Sequence, residues 1–168
     1  MVKPTAIDYE QMAPDAVRRH KGKSFPGVTT VFLCHDGQGH FFMAKRSKNC
    51  RDEQGRWDIG GGGLKWGQRA KDNALREIQE EYGATPQSIE FIGYRDAFRK
   101  LEDGTPTHWL AMDFVAKVDP ATVSIREPDT FDDSGWFMLD TLPSPLHSQL
   151  ELEYFDKYRE QLKKFGIT

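Results

Sequence analysis

The stretch Gly60–Ala84, GGGGLKWGQRAKDNALREIQEEYGA, decides how the rest of the chain is read. Four successive glycines, Gly60 to Gly63, lose much backbone entropy on ordering and offer no side chain to pack. They are therefore expected to form a loop that passes close to a ligand phosphate or a metal, rather than the interior of a strand or helix. From about Arg69 onward the residues are good helix formers, and Gly83 stands where a left-handed C-terminal cap belongs. At about 100° per residue, Glu77, Glu80 and Glu81 share one narrow arc, while Ala74, Leu75, Ile78 and Tyr82 fill a separate one. Like charges at this spacing weaken an isolated helix by a few tenths of a kcal/mol per pair. A cation among the three carboxylates would offset that. Oxygen ligands with no neighbouring Cys or His favour Mg²⁺, Mn²⁺ or Ca²⁺ over Zn²⁺. A solvated acidic helix face is the alternative that the wheel alone leaves open.

The whole stretch resembles the Nudix box, G-x5-E-x7-R-E-U-x-E-E-x-G-U, with U a bulky aliphatic residue. Gly62, Arg76, Glu77, Ile78, Glu80, Glu81 and Gly83 match. Gln68 stands where the family has its first Glu, and Ala84 is a small version of the last apolar position. The resemblance implies an α/β fold, the Nudix α/β/α sandwich, with a mixed β-sheet, a central box loop and helix, and a C-terminal helix. It implies a divalent-metal-dependent hydrolase, MutT-like, using Mg²⁺ or Mn²⁺. Its substrate would be a nucleoside diphosphate-linked compound. A modest similarity of Glu127-Pro128-Asp129 to enzymes acting on nucleoside triphosphates and oxidised guanine nucleotides points towards those. By the same resemblance Gly61, Glu77, Glu80 and Glu81 are the metal ligands, the first through its backbone carbonyl. Glu77 or Glu80 would act in catalysis, with Arg76 pairing to Glu77. Gly62, Gly63 and Arg46 are expected to bind substrate, and Asp129, Asp132 or Asp133 to supply a further acid from a later loop. Glutamine has nearly the shape of glutamate but neither charge nor basicity, so Gln68 bears on rate and metal affinity rather than on fold. The alternatives are a catalytically weak or inactive ligand-binding module, and an enzyme like isopentenyl diphosphate isomerase, for which Cys50 would be the nearby thiol.

Around this stretch, 168 residues suit a single domain, with a polar leader at 1–24 and a core at about 27–160. A net charge of −3 argues against a general nucleic-acid or membrane surface. Cys34 and Cys50 lack metal-ligand spacing and read as unpaired thiols. With no signal-peptide or membrane-spanning run, a reducing cytoplasm is the expected compartment. The partner is expected to be a small nucleotide-type molecule, and a homodimer is left open. The leader carries the basic run Arg18-Arg19-His20-Lys21.

Strands are expected at 28–34, 40–45, 57–59, 89–98, 108–118 and 136–139, with Gly93 as a bulge, a turn at 102–106 and a long acidic loop at 119–135. Alternation within 108–118 puts Trp109, Ala111, Asp113 and Val115 on one face. Lys45, Arg46 and Lys48 lie near a hairpin end where a diphosphate would be reached. Trp66, Phe98, His108 and Trp109 are candidates for stacking a base, with packing as the alternative reading. Residues 147–165 show helical spacing of Leu150, Leu152, Tyr154, Phe155, Tyr158 and Leu162.

Overall fold

The computed structural model describes residues 19–101 and 103–168, the side chain of Leu152 excepted. Most of the leader, including Arg18, lies outside this range, as does Glu102 of the turn expected at 102–106. In chain order the strands are β1 (Gly27–His35), β2 (Phe41–Arg46), β3 (Trp57–Asp58), β4 (Gly60–Gly63), β5 (Ser88–Lys100), β6 (Pro106–Lys117) and β7 (Phe131–Phe137). Helix α1 (Ala70–Tyr82) follows β4, and α2 (Phe155–Lys163) continues a π-helical turn, Leu150–Tyr154. The sheet runs β3-β2-β1-β6-β5, with β4 added to β1 and β7 added to β2. It is mixed: β1 and β6 are parallel from Gly27↔Trp109 to His35↔Lys117, and the other pairings are antiparallel.

The pleat of β1 and β2 divides the core in two. Phe32, Cys34, Phe42 and Ala44 pack with Ala74, Ile78 and Tyr82 of α1 on one face. Leu33, Phe41 and Met43 pack with Tyr154, Tyr158 and Leu162 on the other. Strands buried on both faces read as unbroken apolar runs, which is why VFLC and FFMA show no alternation. Each such fully buried large side chain contributes about 1.5–3 kcal/mol. Gly83 closes α1 at φ 62°, its N–H on the Gln79 carbonyl. Gly93, at φ 151°, sits at the register shift between Phe91 and Gly93, the bulge expected there.

Two expectations are corrected. The four glycines are a strand: β4 pairs along β1 from Thr29↔Gly63 to Phe32↔Gly60. Their lack of side chains is what admits them, because β4 lies tight against both β1 and α1. A Cβ on Gly60 would stand 2.0 Å from the Phe32 ring, and one on Gly61 2.8 Å from the Thr30 carbonyl oxygen. The acidic loop is also shorter than expected. β7 begins at Phe131, so Asp132 and Asp133 are strand residues opposite the end of β2, with Asp133 paired to Lys45. The strand ends at Phe137 rather than Leu139, which starts a short 3-10 turn.

A buried charge pair joins the second core to the sheet. Arg95 Nε on β5 donates to Asp113 on β6 at 3.1 Å, and Tyr158 Oη on α2 donates to the same carboxylate at 2.8 Å. Asp113 is fully buried and Arg95 is 4% exposed. Burial raises the Asp113 carboxyl, and Arg95 and Tyr158 pull it back. This explains a charged residue on the face that alternation shares with Ala111 and Val115.

Candidate active site

Asn73, buried on α1, ties together the elements that form the site. Its amide nitrogen donates to Thr30 Oγ1 on β1 at 2.8 Å and to the Gly62 carbonyl at 3.4 Å. Thr29 Oγ1 reaches the same carbonyl at 2.9 Å. The Asn73 carbonyl oxygen accepts from Arg76 at 2.8 Å. Arg76 in turn holds Glu77 at 2.6 Å and is paired with Glu80. Glu77 packs onto β4 where Gly62 leaves room.

Glu81 has a different environment from its two neighbours. It is 7% exposed, and the Gly61 N–H lies 3.4 Å from its Oε2. Burial pushes its carboxyl well above the usual range, and Glu77, Glu127 and Asp58 push it further. A buried carboxylate among like charges is costly unless it takes up a proton or a cation joins it. Oxygen donors of this kind fit a hard divalent ion. Among the described residues no three Asp, Glu, His or Cys side chains already stand together as a metal cage; Glu77 and Glu80 are held by Arg76.

Beside Glu81 lies a cavity of about 350 Å³. Thr29, Val31, Ala97 and Ala111 line it with small or narrow side chains, and Gly60 to Gly63 form one edge. Arg46, Arg51, Arg95, Arg99, Trp109 and His147 also line it. The cavity exists because strand positions that would carry large side chains hold alanine between arginines: Arg95, Ala97 and Arg99 share one face of β5 by period two.

Of the residues expected from sequence, Gly61, Gly62, Gly63, Glu81 and Arg46 meet at this cavity. Arg46 is ion-paired there, to Asp52 at 3.0 Å and Asp58 at 3.5 Å. Arg76, Glu77 and Glu80 are on α1 outside the cavity wall. Asp129 is exposed, and its backbone carbonyl accepts from Ser47 at 2.6 Å and Asn49 at 3.0 Å. Asp132 and Asp133 are exposed on β7. From this segment, Glu127 is the acid whose charge bears on Glu81. Trp66 and Phe98 are exposed, and His108 pairs with Asp96 at 2.8 Å. Trp109 alone of the four stacking candidates reaches the cavity. Cys50 donates to the Thr130 carbonyl at 3.3 Å and lies outside the cavity wall. Gln68 Oε1 is buried and accepts no hydrogen bond among the described residues.

Sequence reasoning missed Asn73, Arg51, Asp52, Asp58, Arg95, Arg99 and His147. Asn73 carried a signal, a polar residue next to the helix's apolar stripe. For Arg95 and Arg99 the signal was their common face on a long strand.

The sequence model of the NUDIX domain matches residues 25–158. The chain belongs to the Nudix family. It is a Nudix pyrophosphohydrolase, acting on nucleoside diphosphate derivatives. Among solved structures it is similar to a MutT NUDIX hydrolase from Burkholderia pseudomallei, at 26% identity and TM-score 0.66, over 76% of this chain and 95% of that one. The NUDIX domain of Shewanella oneidensis NrtR, solved with ADP ribose, shares the fold at 19% identity and TM-score 0.62, over 92% of this chain and 98% of that one. Among the described residues no helix is long and apolar enough to cross a membrane.

Proposed function

We propose that this Nudix chain hydrolyses the diphosphate link of a nucleotide-type substrate with the help of Mg²⁺ or Mn²⁺. The observation that carries the reading is Glu81, a buried carboxylate among like charges, set against the glycine strand at the edge of an arginine-lined cavity. Glu81, Glu80 and Glu77 would hold the cation together with the Gly61 carbonyl. A divalent ion held by these residues would supply charge neutralisation for the diphosphate oxygens and a lowered pKa for a bound water. Arg76 orients Glu77 and Glu80 and must yield part of that pairing when a cation binds. Gly62 and Gly63 let the diphosphate approach the backbone, and Arg46 faces it from the cavity side. The ADP ribose bound by the NrtR domain supports a nucleotide-type ligand.

Gln68 favours a second reading, a catalytically weak enzyme. A buried amide oxygen without a donor stands where the family keeps a charge. Formation of the nucleoside monophosphate, resolved by chromatography, from unmodified and oxidised nucleoside triphosphates, nucleotide sugars and dinucleotides, each with Mg²⁺ and Mn²⁺, tests both. Turnover of one class above the rest supports the first reading. Equal, slow turnover of all supports the second.

A further inference from the structure

The cavity has a second charged region, centred on Asp52. Asp52 Oδ1 accepts from Arg46 at 3.0 Å, while its Oδ2 faces Arg99 at 3.2 Å and Arg51 at 3.5 Å. Asp58 is the other carboxylate here, facing Arg46 at 3.5 Å and His147 at 3.8 Å. Three guanidiniums thus face two carboxylates. His147 adds no charge at neutral pH, since burial lowers its pKa. The arrangement is built rather than incidental. The Ser47–Arg56 loop folds back on itself through Arg46 N to the Arg56 carbonyl and Gly55 N to the Arg46 carbonyl. Glu53 then fixes the loop to Ser148 at 2.7 Å.

A purely structural ion network would saturate its donors. This one does not: Arg99 Nε is buried and has no acceptor among the described residues. Burial, the largest influence, also disfavours the Arg99 cation, with Asp52 and Asp58 opposing it and Arg51 and Arg46 adding to it. The region is ill-suited to a neutral base. Of the two large rings on the cavity wall, Phe131 packs against Tyr82. Trp109 is crowded by Gly22 and Gly27, whose added Cβ atoms would stand 2.4 and 2.6 Å from it. Lys21 and Arg51 each lie 5.7 Å from its ring centroid.

We propose that Arg51 and Arg99 form a subsite for an anionic group remote from the bond that is cleaved, so that the preferred substrate is a diphosphate compound carrying a second phosphate or carboxylate. The inference rests on the hydrolase reading for the diphosphate end of the substrate. A planar guanidinium pair suits either oxyanion, and a bound oxyanion would give the buried Arg99 Nε the acceptor it lacks.

The test uses the full chain and matched substrates differing in one remote group. NADP against NAD and coenzyme A against dephospho-coenzyme A vary a phosphate; UDP-glucuronate against UDP-glucose varies a carboxylate. The expected result is a kcat/KM preference of about tenfold or more for the charged member of at least one pair. Arg51→Gln, on a half-exposed side chain, should reduce that preference towards one, as should Arg99→Gln if it folds. Equal rates within every pair, or a preference that Arg51→Gln leaves intact, would overturn the proposal. A second arm is independent of turnover. Inorganic phosphate, with chelator present, should raise the Tm of the wild type and not of Arg51→Gln. Where no substrate is turned over, this arm decides alone: a shift confined to the wild type upholds the subsite while the hydrolase reading fails, and equal shifts overturn the subsite.

Discussion

The Glu77 carboxylate fills the space that a side chain on Gly62 would need: an added Cβ would stand 2.1 Å from Glu77 Cδ. The glycine strand and the carboxylate helix are therefore fitted to each other at this point. Gly62→Ala is expected to push Glu77 off its 2.6 Å contact with Arg76. The fold should lose little, because only the far end of a flexible side chain has to give, while kcat should fall at least about tenfold. A wild-type rate in the variant would show that the position of Glu77 does not matter to turnover.

Glu81 is expected to destabilise the metal-free protein. Its folded pKa is raised by burial first and then by Glu77. Such a group contributes stability below its unfolded pKa of about 4.3 and loses that contribution as pH rises through the folded value. In chelator, Glu81→Gln should therefore melt at the same or a higher temperature than wild type, with the gap widening from about pH 5 to pH 8. Melting curves across that range check the sign. A variant less stable at pH 8 would make Glu81 a structural residue.

Gln68→Glu is expected to help the enzyme at limiting Mg²⁺. The amide oxygen it replaces is buried and unpartnered, and the change in shape is small. The added charge should lower the Mg²⁺ midpoint by up to about tenfold. A Mg²⁺ titration of initial rate decides this, and an unchanged or raised midpoint rejects it.

Asp113→Asn should be severe, although Asp113 lies outside the cavity wall. It leaves the Arg95 guanidinium buried without its counter-charge, which costs about 3–5 kcal/mol. Denaturant unfolding measures the loss. A change below about 1 kcal/mol would mean that Gln149, whose side-chain oxygen accepts from Arg95 at 3.0 Å, suffices as a partner.

The box helix was legible in the sequence because its information is local. Caps, apolar stripe and carboxylates all follow from spacing within one element. The glycine strand was not, because its reason lies in Phe32 and Glu77, which press on it from another strand and from the helix. The arginine region, apart from Arg46, was hidden for the same reason. Arg46, Arg51 and Arg99 come from a strand end, a loop and the edge strand, and only the register Arg99↔Thr107 beside Ala97↔Trp109 aims Arg99 at the cavity. Asp113 was visible as an anomaly in an alternating strand, but its partner Arg95 was visible only through pairing.

If Glu81 and its neighbours cleave a diphosphate link through a bound divalent cation, turnover must depend on both the ion and the carboxylates. The most direct measurement is the initial rate of nucleoside monophosphate formation on the best substrate, for wild type, Glu80→Gln and Glu81→Gln, with excess chelator and with Mg²⁺ restored. No turnover in chelator, recovery with Mg²⁺, and a loss of at least about tenfold in kcat for each variant are expected. Undiminished turnover in chelator, or wild-type rates in Glu81→Gln, would contradict that dependence.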